Sequence, residues 1–175
     1  MDQSLSRFIT MLTSTKALSA FAGVLIGGVI FLIAAWSAGF LTKPGDPLSR
    51  EANAEFLADH AKQTGVTVTK SGLQYRVIKP ATGAKPSSPS QTVSVNYTGK
   101  FINGHVFDSS VEHGPAEFQL DGVIAGWTEG LQLMHVGEKA ELVVPYNLAY
   151  GAEGRGPEMP GYQTLIFEVE LLSVK

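Results

Sequence analysis

The sequence predicts an α+β domain carried behind a membrane anchor, on three observations. Residues 17–41 are apolar or small and hold no charge. From Val66 onward, short runs rich in β-branched and aromatic residues recur between turn residues, the pattern of strands. Among them only Ile124–Met134 carries a helical stripe. A strand-rich domain with one short helix buries that helix against one face of a single sheet. Composition bounds the rest. The 175 residues include no cysteine, which excludes a disulfide framework, a zinc–thiolate site and a cysteine nucleophile. Formal charge is −3 with no run of Lys or Arg, which argues against nucleic acid as a partner.

Residues 1–16 form a tail. The stretch Ala17–Leu41, ALSAFAGVLIGGVIFLIAAWSAGFL, has 19 apolar residues in 25. As a helix it rises about 37 Å, enough to cross a hydrocarbon core of about 30 Å. A long signal sequence is the competing reading. The apolar core of such a signal runs only about 7–15 residues, and Ala35-Trp36-Ser37 is a weak cleavage site. An uncleaved transmembrane anchor is therefore expected. Arg7 and Lys16 before it balance Lys43 and Arg50 after it, so charge alone leaves the orientation open. Ser19, Gly23 and Gly27 fall at four-residue intervals, a spacing that lets two membrane helices approach closely. Glycine is also common in such helices generally, so a dimer through Gly23 and Gly27 is the lesser expectation.

Residues 42–65 read as a helical connector. Asp46-Pro47 has the form of an N-cap followed by proline at the first helical position. Leu48, Ala52, Phe56, Leu57 and Ala61 recur at helical spacing, and Gly65 supplies a stop. One amphipathic helix of about four turns is expected. His60 is expected to be a solvated helix residue.

Residues 66–175 form the domain proper. Leu73–Ile78, Val93–Phe101, Lys139–Val144 and Leu165–Leu172 are the expected strands. Val93, Val95 and Tyr97 share one face of their strand, as do Ala140, Leu142 and Val144 of theirs. Pro80–Ser90, PATGAKPSSPS, is a loop or crossing connection. Ile124–Met134 is the helix, with Trp127, Leu131 and Met134 on one stripe.

Most site chemistries find no support. The sequence has no GxxxxGK[ST], no GxGxxG after a strand and no HExxH. The four histidines, His60, His105, His113 and His135, are scattered, so no metal site is expected. Ser109 and Ser110 follow Asp108 without a GxSxG elbow, so a hydrolytic triad is unsupported. Aromatic residues beside turns remain: Tyr97 and Phe107 bracket Asn103-Gly104, and Tyr150-Gly151 opens GAEGRGPEMPG. Core packing accounts for most aromatics taken singly. Those at loop edges also suit the lining of an apolar pocket.

The segments VSVNYTGKFINGHVFDSS (93–110), FQLDGVIAGWTEGLQLMHVGEKAELVVPYNLAYG (118–151) and TLIFEVELL (164–172) strongly resemble the FKBP-type peptidyl-prolyl isomerases. The match runs in order over Gly72–Val174. EFLADHAKQTGVTVTKSGLQYRVI (55–78) further resembles the start of the bacterial subgroup related to macrophage infectivity potentiator proteins. The resemblance implies a half-barrel, a bent antiparallel sheet wrapped around one short helix. It implies catalytic roles for Tyr97, Phe107, Asp108, Trp127, Tyr150 and Phe167, with Trp127 as the floor, and substrate binding by Phe118, Val123, Ile124 and Met159. The Ile124 N–H and the Tyr150 hydroxyl would donate to substrate carbonyls. Asp108 would act either as acceptor for Tyr97 or a nearby amide, or as a polar group near the twisting carbonyl.

Three departures bear on specificity. Ala116 replaces an aromatic at the pocket edge. Gly161 and Tyr162 replace residues of the usual Ile-Pro-Pro-Asn/His pattern, while Met159 keeps an apolar wall. The resemblance thus implies a cofactor-free isomerase for proline-containing polypeptides, with macrolides as inhibitors whose affinity these changes put in doubt. A chaperone-like holdase using the same groove, or an envelope scaffold with no proline preference, are the alternatives. With the anchor, the expected place is a bacterial inner membrane, catalytic domain in the periplasm.

Overall fold

The computed structural model describes residues 46–175. The tail, the 17–41 segment and its Gly23/Gly27 face lie outside the described residues. Among the described residues no helix is long and apolar enough to cross a membrane. They form an α+β unit of two α-helices and seven strands, every pairing antiparallel.

The chain opens with α1 (Arg50–His60). It is shorter than the connector pattern predicts and begins later. The cap is Ser49, whose hydroxyl accepts from the Ala52 N–H at 3.2 Å. Asp46 instead closes a local turn, its Oδ1 accepting from Leu48 N–H at 2.9 Å. Asp46 and Ser49 thus both satisfy donors near the start, and the helical dihedrals begin only after the second.

The most deeply buried side chains of α1 are polar, Asn53 and His60. His60 is 4% exposed, against the expectation of a solvated residue. The reason is long-range. Its Nδ1 lies 2.6 Å from Gln74 Oε1 and its Nε2 3.0 Å from Glu141 Oε1. Phe56 stacks on the ring at 5.7 Å. At the other end, Asn53 Oδ1 accepts from the Thr164 N–H, and Gln163 donates to the Leu48 carbonyl. Polar side chains thus fasten both ends of α1 to the domain.

The strands are β1 (Val66–Val68), β2 (Gln74–Lys79), β3 (Thr92–Phe101), β4 (Val106–Ser109), β5 (Ala116–Gln119), β6 (Lys139–Val144) and β7 (Leu165–Val174). Their order is β1-β2-β6-β7-β3-β4, with β5 also on β3. β3 therefore pairs with β7 on one side and with both β4 and β5 on the other. Register shifts interrupt β3 at Ser94/Val95 and at Gly99/Lys100. Such irregularities bend a strand.

Helix α2 (Ala125–Leu133) lies on β6. Gly126 and Gly130 face that strand. A Cβ on the first would lie 2.4 Å from Val144, and one on the second 2.8 Å from Leu142. Two bare positions one turn apart let the helix backbone approach the sheet. The core between them holds Leu131, Met134, Leu142, Val144, Val95 and Val169, all fully buried.

Candidate active site

Seating α2 this deeply puts Trp127, in its first turn, at the base of a cavity of about 470 Å³. The indole is 4% exposed and meets three rings edge-on: Tyr97 at 5.1 Å, Phe118 at 5.4 Å and Phe167 at 5.2 Å between centroids. These rings come from β3, β5 and β7, so the floor is fixed from three strands. Edge-to-face geometry sets the positive rim of one ring against the negative face of another. Trp127 Nε1 has no partner among the described residues.

One wall depends on a missing side chain. Gly99 of β3 sits opposite Phe167 of β7 and opposite Asp108 of β4. A Cβ there would lie 2.7 Å from the Phe167 ring and 2.8 Å from Phe107. The space it leaves is where those two rings meet, at 5.6 Å and 87°.

The polar edge is built from Tyr97 and Asp108. The Tyr97 hydroxyl donates to Asp108 Oδ2 at 2.9 Å, so the first of the two roles expected of Asp108 is seen directly. Burial foremost, then that hydrogen bond and the carboxylate charge, push the Tyr97 phenol up to about 12. Opposite, Val123 and Ile124 link the short 3₁₀ turn Leu120–Gly122 to α2. Thr128 braces this turn by donating to the Leu120 carbonyl at 2.5 Å. The Ile124 N–H and the Tyr150 hydroxyl have no protein partner among the described residues, which leaves two donors at the cavity for a ligand carbonyl.

Nine of the ten residues singled out from the sequence line this one cavity: Tyr97, Phe107, Asp108, Phe118, Val123, Ile124, Trp127, Tyr150 and Phe167. Met159 does not. It is 8% exposed and packs in the core, where it anchors the loop between Tyr150 and β7 from beneath. The departures also fall outside the lining. Ala116 opens β5 opposite Val95, and the Tyr162 ring turns to Tyr146, at 5.1 Å, and to the Arg50 guanidinium, at 4.7 Å. Gly122 and Arg155 line the cavity and were not singled out. Nothing but loop position marks either in the sequence.

An apolar, ring-walled hollow with unpaired donors at its edge, on a sheet-and-helix scaffold, defines a non-covalent binding site for a compact apolar group carrying an amide. Comparison with known proteins agrees. The family model described as FKBP-type peptidyl-prolyl cis-trans isomerase matches residues 83–172, and that of the domain amino terminal to it matches residues 48–77. The chain belongs to the FKBP-type peptidyl-prolyl cis-trans isomerase family.

Among curated relatives, the FKBP-type 22 kDa peptidyl-prolyl cis-trans isomerase of Escherichia coli is 54% identical over 69% of this chain and 58% of its own. The outer membrane protein MIP of Legionella longbeachae is 50% identical over 69% of this chain and 52% of its own. The chain thus spans little more than half the length of these relatives. Among solved structures, a peptidyl-prolyl cis-trans isomerase from Pseudomonas syringae superposes with a TM-score of 0.69 at 37% identity, covering 77% of this chain and 99% of that one. FkpA of Escherichia coli gives 0.69 at 38% identity, covering 91% and 70%.

Proposed function

We propose that this chain accelerates cis–trans rotation about X-Pro bonds in polypeptides, without covalent chemistry, in the cavity floored by Trp127. The observation that carries the reading is the indole held edge-on by Tyr97, Phe118 and Phe167 in an open hollow of about 470 Å³.

The physics of the reaction asks for such a place. Rotation faces a barrier of roughly 18–20 kcal/mol from the double-bond character of the C–N bond. Uncatalysed exchange takes on the order of tens to hundreds of seconds. Shortening about 10 s to about 1 ms requires a factor of roughly ten thousand, or about 5.5 kcal/mol. No bond breaks and no proton must move. The planar amide is the more dipolar form, with negative charge on its oxygen; the twisted form has lost that resonance. Transfer from water to a ring-lined cavity therefore disfavours the planar ground state more than the twisted state. Donors that reach the carbonyl only when it has turned add to the difference. The Ile124 N–H and Tyr150 hydroxyl are the groups assigned this task. Asp108, held by Tyr97, adds polarity at the cavity edge.

A protease-coupled assay of the full chain in detergent, with an X-Pro tetrapeptide, tests this. Acceleration proportional to enzyme is expected. Peptide binding without acceleration would instead establish a holdase.

The finer reading is that the segment 17–41 anchors the chain in a bacterial inner membrane, with the isomerase domain in the periplasm acting on unfolded or exported polypeptides. Its support is the charge-free apolar length of that segment. A periplasm-dependent reporter fused to the C-terminus would be active if this is right and silent if the domain stays inside. A dimer through Gly23 and Gly27 and macrolide binding in the cavity belong to the same proposal. Crosslinked dimer yield that survives Gly23→Ile removes the first.

A further inference from the structure

The isomerase reading leaves one charged cavity residue without a role. Arg155 lines the Trp127 cavity from the loop between Tyr150 and β7, and it is exposed. Its guanidinium lies 5.9 Å from the Tyr150 ring centroid. Among the described residues it enters no ion pair and its side chain makes no hydrogen bond, although Glu153 and Glu158 belong to the same loop. Of the other described arginines, Arg76 pairs with Glu141, whereas Arg50, like Arg155, lies against a tyrosine ring. The anionic member of the lining, Asp108, already accepts from Tyr97. The rim therefore carries one cation with no anion of its own.

The loop backbone that carries this cation is fixed. The Arg155 N–H donates to the Met159 carbonyl at 2.7 Å, and the Met159 side chain is locked in the core. The two sides of the loop run backbone against backbone. The Tyr162 N–H donates to the Gly151 carbonyl, and a Cβ on Gly161 would fall 1.9 Å from the Ala152 carbonyl oxygen. Bare backbone at position 161 is thus what allows the loop to close. A guanidinium on a fixed loop loses less freedom on meeting a carboxylate than one on a mobile loop.

Resting on the isomerase reading, we propose that Arg155 is a specificity-determining residue that selects proline peptides with an acidic residue next to the proline. A Glu or Asp carboxylate flanking the proline meets Arg155 at the rim while the prolyl ring sits over Trp127. A Lys in the same place is repelled.

The test measures cis–trans exchange directly, by NMR of the peptide, so that no coupling protease imposes its own preference. The full chain in neutral detergent is given peptides with Glu, Gln or Lys immediately before the proline, and a second set with them immediately after. Expected at low salt is a Glu-to-Lys ratio of kcat/KM of at least threefold in one of the sets, carried mainly by KM. The ratio should shrink as salt is raised, because the contact is at the solvent edge. In Arg155→Gln it should fall toward one, and in Arg155→Glu it should invert. Each ratio is read within one preparation, so any loss of folded protein cancels. Equal rates for Glu and Lys peptides, or a ratio that persists in Arg155→Gln, overturns the proposal. Failure of the wild-type chain to accelerate even the Gln peptides would sink the isomerase reading itself.

Discussion

The Tyr97 hydroxyl donates to Asp108 Oδ2 at 2.9 Å, joining the middle of β3 to β4 across one wall of the cavity. Two strands that pair over only a short register are thereby tied a second time through side chains. The phenol is consequently protonated to higher pH in the fold, about 12, than in an unfolded chain, where it titrates near 10. The folded state keeps a proton that the unfolded state gives up. This contribution to stability is complete below pH 10 and drains away as pH rises toward about 12.

Tyrosinate absorbance checks this. Tyr75, half-buried and bonded to Glu138, is also pushed up, so two of the five tyrosines should ionise late. Tyr97→Phe should remove one of them. Asp108→Asn should move it only part of the way back, because burial is the larger cause. A Tyr97 that titrates normally in the folded wild type would contradict the hydrogen bond.

Gly99 is where Phe107 and Phe167 meet. Gly99→Ala places a methyl within 3 Å of both rings, and overpacking of this kind costs about 1–3 kcal/mol. Thermal unfolding should show the loss. Isomerase activity, measured on the fraction that remains folded, should fall at least tenfold because the wall is displaced. Unchanged activity would show that Phe107 and Phe167 do not shape the productive cavity.

His60 faces two acceptors, Gln74 Oε1 and Glu141 Oε1. His60→Ala strands buried Gln74 Oε1, while Arg76 still holds Glu141 at 2.7 Å, at a cost of about 1–3 kcal/mol. The network lies apart from the cavity residues, so activity at low temperature should stay near wild type while the melting temperature drops. A variant as stable as wild type would mean that α1 is not fastened through this histidine.

The elements legible in the sequence are those long enough to show their period. β3, β6 and β7 fall within two residues of the runs that predict them, and α2 within one. β1, β4 and β5 did not announce themselves. VTV, VFDS and AEFQ span three or four residues, too few for alternation to stand out from a loop. Tyr97, Phe107 and Tyr150 stand out as aromatics at loop edges, whereas Phe118, Trp127 and Phe167 join the cavity only through family resemblance, because nothing in residue spacing separates them from ordinary core aromatics.

The misreadings have a common physical cause. His60 looks like any polar residue near a helix end, and its partner Glu141 lies 81 positions away. Met159 keeps the apolar character of a pocket wall, yet the turn that binds its carbonyl to Arg155 directs the side chain into the core. In both cases the deciding contact is one that residue type alone does not reveal.

The central claim is rotation of a prolyl bond in a ring-walled hollow with no proton transfer in the rate-limiting step. NMR exchange of an X-Pro peptide with the full chain, run in ordinary and in heavy water, tests this most directly. Strong acceleration is expected, nearly the same in both solvents and lost in Trp127→Ala preparations verified as folded. Absence of acceleration, or a rate that falls several-fold in heavy water, would contradict it.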